Sequence, residues 1–131
     1  MDKALFTGGC LCGSIRFEAA TPPHNPHYCH CRMCQRMAGA PAMAWVNFLN
    51  KAFRFIGEPA WYQSSPTGRR GFCPHCGSSL ASVFDDDPYM CVPIPSLDSP
   101  EAITPAYHIF TESQLNWFVV KDGLPQKRRY E

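Results

Sequence analysis

The spacing of the cysteines limits what this chain can fold into more than any other feature. Seven of the eight fall into three tight groups, Cys10-x-Cys12, Cys29-x-Cys31-x-x-Cys34 and Cys73-x-x-Cys76, while Cys91 stands apart. Three thiols at C-x-C-x-x-C spacing can converge on one ion, and a tetrahedral zinc held by them still lacks one protein ligand. That vacancy distinguishes a reaction centre from a purely structural clamp. Cys10, Cys12, Cys73 and Cys76 fit a closed four-thiolate site in count and spacing. Two zinc ions are therefore expected, one in a closed site and one in an open site.

A disulfide framework is the competing use of so many thiols, and the setting opposes it. Met1 to Gly9 has no charged region followed by a long apolar run, so the chain reads as cytoplasmic, where thiols stay reduced. The most apolar segment, Met37 to Leu49, is broken by Pro41 and Asn47 and is shorter than the roughly twenty residues of a spanning helix. No membrane association is expected. The formal charge of +1 creates no large field of either sign. Ionising seven thiols and binding two zinc ions would bring it to about −2, which suits neither nonspecific nucleic-acid binding nor an anionic surface.

At 131 residues, one domain over the whole chain is expected. Thirteen prolines and nine glycines favour short strands and loops over long helices. Ala4 to Ala19 reads as two strands meeting at Gly8 to Gly13, with Ile15, Phe17 and Ala19 on one face and Arg16 and Glu18 on the other. Extended backbone there would point Cys10 and Cys12 the same way. Thr21 to His27 carries three prolines and reads as an irregular loop. Arg32 to Met37 suits a short helix stopped by Gly39 and Pro41, with Cys34 on its first turn. Ala42 to Phe48, Phe53 to Ile56, Ala60 to Gln63, Ser78 to Phe84 and Tyr89 to Ile94 read as strands, and Tyr107 to Phe110 and Trp117 to Val120 as late ones. Arg69 to Phe72 leads into a C-P-x-C-G knuckle at Cys73 to Gly77. Asp85 to Asp87 is a solvated turn, because the spaced oxygen ligands of a calcium loop are missing around it.

Gly9-Cys10-x-Cys12-Gly13, then Cys29-His30-Cys31-x-x-Cys34 with Arg36 and Gly39, then Phe72-Cys73-x-x-Cys76-Gly77-Ser78-x-Leu80, resembles the glutathione-dependent formaldehyde-activating enzyme family in order and spacing. His108-Ile109-Phe110, Trp117 and Asp122-Gly123-Leu124-Pro125 extend the resemblance through the tail. The resemblance implies a mainly β, Mss4-like zinc-binding fold of short antiparallel strands with at most a short helix. It matches Cys10, Cys12, Cys73 and Cys76 to the structural zinc and Cys29, Cys31 and Cys34 to the catalytic zinc. It also implies a carbon–sulfur lyase whose partner is a small thiol, glutathione or its aldehyde adduct, such as S-hydroxymethylglutathione. Relatives resembling centromere protein V are known mainly as domains, so a noncatalytic zinc-stabilised binding module is the alternative.

Several other residues bear on that chemistry. Three thiolates make the open zinc a weak acid, which favours capture of a thiol over generation of hydroxide. Alternation turns His30 away from the ion bound by Cys29 and Cys31. His24 and His27 are loop candidates for a general base, with plain solvation as the alternative. Arg32, Arg36, Arg69 and Arg70 are candidates to hold glutathione carboxylates, with solubilising exposure as the alternative. Cys91 suits a buried apolar position, and Trp45, Trp61 and Trp117 suit core packing.

Overall fold

The computed structural model describes residues 3–130. Alternating apolar and charged residues build the first sheet. Phe6–Gly9 (β1) and Arg16–Ala19 (β2) pair antiparallel, and β2 pairs on its other side with Phe53–Ile56 (β5). Ile15, Phe17 and Ala19 are buried as their spacing requires, while Arg16 pairs with Asp98 and Glu18 with Arg54.

A second sheet takes seven strands: His24–Cys29 (β3), Met43–Leu49 (β4), Ala60–Gln63 (β6), Gly68–Phe72 (β7), Ser79–Phe84 (β8), Tyr89–Pro93 (β9) and His108–Ile109 (β10). Their order is β10-β3-β4-β9-β8-β7-β6, and β10 lies parallel to β3 while the other neighbours run antiparallel. Arg32–Ala38 (α1) is the one α-helix among the described residues, and four 3₁₀ turns complete the helical content. The fold is mainly β with one short helix, as the resemblance implied. Among the described residues no helix is long and apolar enough to cross a membrane.

The sheets meet in an aromatic and aliphatic core. Phe17 and Ala19 of β2 pack with Val46 and Phe48 of β4, Val92 of β9, and Ile94, Leu97 and Ile103 beyond it. Burying each of the large side chains contributes roughly 1.5–3 kcal/mol. β1 comes so close that a Cβ on Gly8 would lie 2.5 Å from the Ser96 carbonyl oxygen and 2.4 Å from the Phe17 ring.

Four expectations are corrected. His24 to His27 is strand and not loop, because Pro26 sits in a register shift where Asn25 takes a φ of 48°. A bulge tolerates proline, and its carbonyl still accepts the Ala106 N–H at 2.8 Å. Arg69 to Phe72 is no mere lead-in but most of β7, which starts at Gly68. Trp117 to Val120 is not a strand. Trp117 and Val119 are both 69% exposed there, and the Phe118 N–H closes a turn on the Leu115 carbonyl. Finally, Cys10 to Cys12 is a turn and not extended backbone, closed by Gly13, whose φ of 81° suits glycine.

Candidate metal centres and cleft

The β1–β2 turn supplies Cys10 and Cys12, and the β7–β8 knuckle supplies Cys73 and Cys76. Their four sulfurs lie within 4.8 Å of one another. Sulfurs around a tetrahedral zinc stand about 3.8 Å apart, given a bond near 2.3 Å. Here Cys10 and Cys12 are 3.6 Å apart and Cys12 and Cys73 are 3.8 Å apart, so the donors fit such an ion. The knuckle turns backbone donors onto sulfur: the N–H groups of His75 and Cys76 lie 3.3 and 3.4 Å from Cys73 Sγ, and the Ile15 N–H reaches Cys10 Sγ at 3.3 Å. Gly77 permits this turn with a φ of 79°. Ser78 lowers the Cys76 thiol to about 5 by hydrogen bonding its sulfur.

Cys29 ends β3, Cys31 caps α1 and Cys34 sits on the first turn of the helix. Their sulfurs also lie within 4.8 Å of one another, a set of three soft donors that fits zinc with one position left over. Cys31 Sγ accepts the Cys34 N–H at 3.3 Å, so helix initiation and cluster assembly are one event. The sulfurs divide charge unequally. Hydrogen bonds from Cys29 and Cys34 hold the Cys31 thiol far below its ordinary value, with Arg70 adding attraction, and the same contact with Cys31 pushes Cys29 up.

This cluster lines a cleft of about 620 Å³ on the larger sheet. β3 contributes His27, β4 Trp45 and Asn47, β7 Arg70, β8 Ser82 and Phe84, and β9 Tyr89 and Cys91, while Tyr107, Phe110 and Tyr130 add an aromatic rim. Of the four candidate arginines, Arg70 alone lines the cleft, and it is committed elsewhere: its Nη1 and Nη2 lie 3.6 and 3.5 Å from Cys34 Sγ. Arg69, one step along the strand, points outward and stacks over Trp61 at 5.2 Å. His27 lines the cleft and His24 does not. The His27 Nδ1–H donates to the Asn25 carbonyl at 2.6 Å, leaving Nε2 as the ring acceptor, and burial lowers its pKa. His30 turns away from the sulfurs, as alternation requires, and is fully buried.

These positions can be set beside known proteins. A model of the glutathione-dependent formaldehyde-activating enzyme family matches residues 5–113. The chain belongs to that family. All seven clustered cysteines fall within the matched span. An uncharacterised lyase of Schizosaccharomyces pombe is 28% identical over 86 residues, 64% of this chain and 63% of that relative, so the chain spans less than two thirds of it. A solved Rhodobacter sphaeroides protein shares the fold, with a TM-score of 0.60 at 20% identity over 76% of this chain and 91% of that one.

In this family member, two side chains shape the three-thiol cluster that sequence reading assigned to other duties. Trp45 is core, as expected, yet its indole N–H also points at Cys34 Sγ from 3.4 Å. Arg70 keeps its charge although burial opposes it, because the Cys34, Cys31 and Cys29 sulfurs outweigh the penalty. The alternation of β7, which sends Arg69 out and Arg70 in, was the available signal. Trp61 and Trp117 are exposed, against the expectation of core packing. Cys91 is half-buried in the cleft wall.

Proposed function

We propose that this chain is a zinc-dependent carbon–sulfur lyase that makes or breaks a bond between glutathione sulfur and a carbonyl carbon, as in S-hydroxymethylglutathione. The observation that carries this reading is a three-thiol cluster opening onto a cleft large enough for a small thiol adduct. Membership of the formaldehyde-activating family supports the thiol and the carbonyl. Cys29, Cys31 and Cys34 would hold the ion, and Cys10, Cys12, Cys73 and Cys76 a structural one. When bound, zinc supplies a Lewis-acid position for a thiol sulfur or a carbonyl oxygen.

The residues around that position divide the remaining work. Arg70 and Trp45 hold Cys34 Sγ from two sides and offset the negative charge of three thiolates. His27 Nε2 is an acceptor for the adduct hydroxyl. In the breaking direction that hydroxyl loses its proton, the carbon–oxygen double bond forms, and the carbon–sulfur electron pair returns to sulfur. Tyr107, Phe110 and Tyr130 give the cleft an aromatic lining for the adduct. A reducing cytoplasm suits the free thiols, and residues 1–131 act as one domain in this reading.

Replacing Cys31 by Ser removes one donor while the four-thiol cluster still ties the sheets. Turnover of S-hydroxymethylglutathione should fall to the uncatalysed rate with the circular dichroism spectrum preserved; unchanged turnover would sink the proposal. One observation favours a noncatalytic zinc-stabilised module instead. Arg70 is the only Lys or Arg lining the cleft among the described residues, and it faces Cys34, so the two glutathione carboxylates meet no free cation there. Under that reading the wild-type protein would take up two zinc ions, and glutathione would leave the spectrum of its cobalt-substituted form unchanged.

A further inference from the structure

A chain of hydrogen bonds runs from the surface into the segment that carries the three thiols. Asp122 Oδ2 lies 2.8 Å from His108 Nε2, and His108 Nδ1 lies 2.8 Å from His30 Nε2. Both rings are buried, His30 at 0% exposure and His108 at 1%, while the Asp122 side chain is 29% exposed. Asp122 stands beyond residue 113, outside the span matched by the family model.

With both rings neutral, chemistry fixes the direction of every proton in this chain. An ionised carboxylate only accepts, so His108 Nε2 carries hydrogen and donates to Asp122. A neutral ring then has a lone pair at Nδ1, so His30 must donate to it through Nε2. His30 Nδ1 is left as a bare acceptor, and it is indeed buried without a hydrogen-bond partner. Asp122 is held in turn, because its Oδ1 accepts the Leu124 N–H at 3.0 Å within the Asp122-Gly123-Leu124-Pro125 turn.

His30 lies between Cys29 and Cys31, so whatever fixes its ring fixes the opposite side of the backbone, where those sulfurs sit. The backbone is gripped as well. The His30 N–H donates to the Ile109 carbonyl at 3.1 Å, and its own carbonyl accepts Gln35 Nε2–H at 2.7 Å. The ring bond to His108 is the third point of attachment, and with the Ile109 contact it ties His30 to β10, far along the chain.

We propose that His108 and Asp122 are positioning residues for the three-thiol cluster: the Asp122–His108–His30 chain locks both ring tautomers and thereby the directions of Cys29 and Cys31. The inference rests on the reading that this cluster holds a metal. It assigns the buried histidine pair and the tail turn a shared task, to hold three donors at tetrahedral angles while the fourth position stays free for exchange. Partners of metal-site residues typically alter metal affinity by about 10–100-fold when removed.

The test uses zinc-loaded full-length protein and follows metal transfer to a chromophoric chelator, with the four-thiol cluster as internal control. Wild-type protein should release two equivalents in two phases, assigned with Cys31→Ser. Asp122→Leu should accelerate the phase of the three-thiol cluster about tenfold or more and leave the other phase unchanged. Asp122→Asn, which can still present an acceptor oxygen, should restore release to within about twofold. Nitrogen-15 spectra should show hydrogen on Nε2 of both His30 and His108 in wild type and loss of that pattern in Asp122→Leu. Two wild-type phases with unchanged release in Asp122→Leu would overturn the positioning role alone. Equal acceleration of both phases would show general loosening and overturn it too. A single equivalent in wild type would overturn the metal reading and, with it, this inference.

Discussion

Arg70 shows how one side chain can set the character of a cluster it does not join. Two of its guanidinium nitrogens face Cys34 Sγ, and the guanidinium also lies 5.9 Å from the Trp45 ring, so a positive charge is buried beside three sulfurs that must ionise to bind metal. Removing it raises the thiol pKa values, and protons then compete better with the ion. Arg70→Gln should shift half-loading of the three-thiol cluster to higher pH and weaken binding at neutral pH by about 1.5–3 kcal/mol, the usual worth of hydrogen bonds to charged groups. Arg70→Lys should recover part of the loss. Cobalt titrations across pH would check both, and loading curves that superimpose on wild type would refute the role. Sequence supplied the identities of the clustered cysteines because ligand spacing is local. It did not supply the duty of Arg70, because that depends on which face of β7 turns toward β4, a matter of tertiary register.

The elements were legible wherever a local pattern matched the local environment. β2 followed its alternation, β4 and β5 their aromatic-rich composition, and α1 ended at Gly39 with a φ of 61°, as a glycine stop should. The misreadings came where a partner outside the segment decided. β3 survives its proline because a bulge absorbs the defect and β4 pairs beyond it. Trp117 to Val120 has strand composition but no strand beside it. At β1 the backbone approach is the controlling fact: a methyl on Gly8 meets both a carbonyl oxygen and a ring that is fully buried. Gly8→Ala should therefore destabilise the protein by about 1–3 kcal/mol, the ordinary cost of overpacking. Urea denaturation of the metal-loaded protein would measure this, and a midpoint equal to wild type would show that β1 can shift outward freely.

Across the whole molecule the two clusters play unequal parts because they join different things. The four-thiol cluster ties the β1–β2 turn of one sheet to the β7–β8 knuckle of the other, with Cys12 and Cys73 separated by sixty-one positions. The three-thiol cluster ties only the end of β3 to the helix that follows it. Cys73→Ser should consequently lower the thermal midpoint far more than Cys29→Ser, since metal binding at the first cluster would be coupled to docking of the sheets. Differential scanning calorimetry of zinc-loaded variants would check the order, and equal losses would contradict it. The same asymmetry orders events in time. Closing a short segment costs little chain entropy, and closing a long one must wait for the sheets to meet. An unfolded chain offered scarce metal would fill the cluster on the cleft first and the sheet-joining cluster last. The cluster on the cleft would then be assembled before the domain around it is finished.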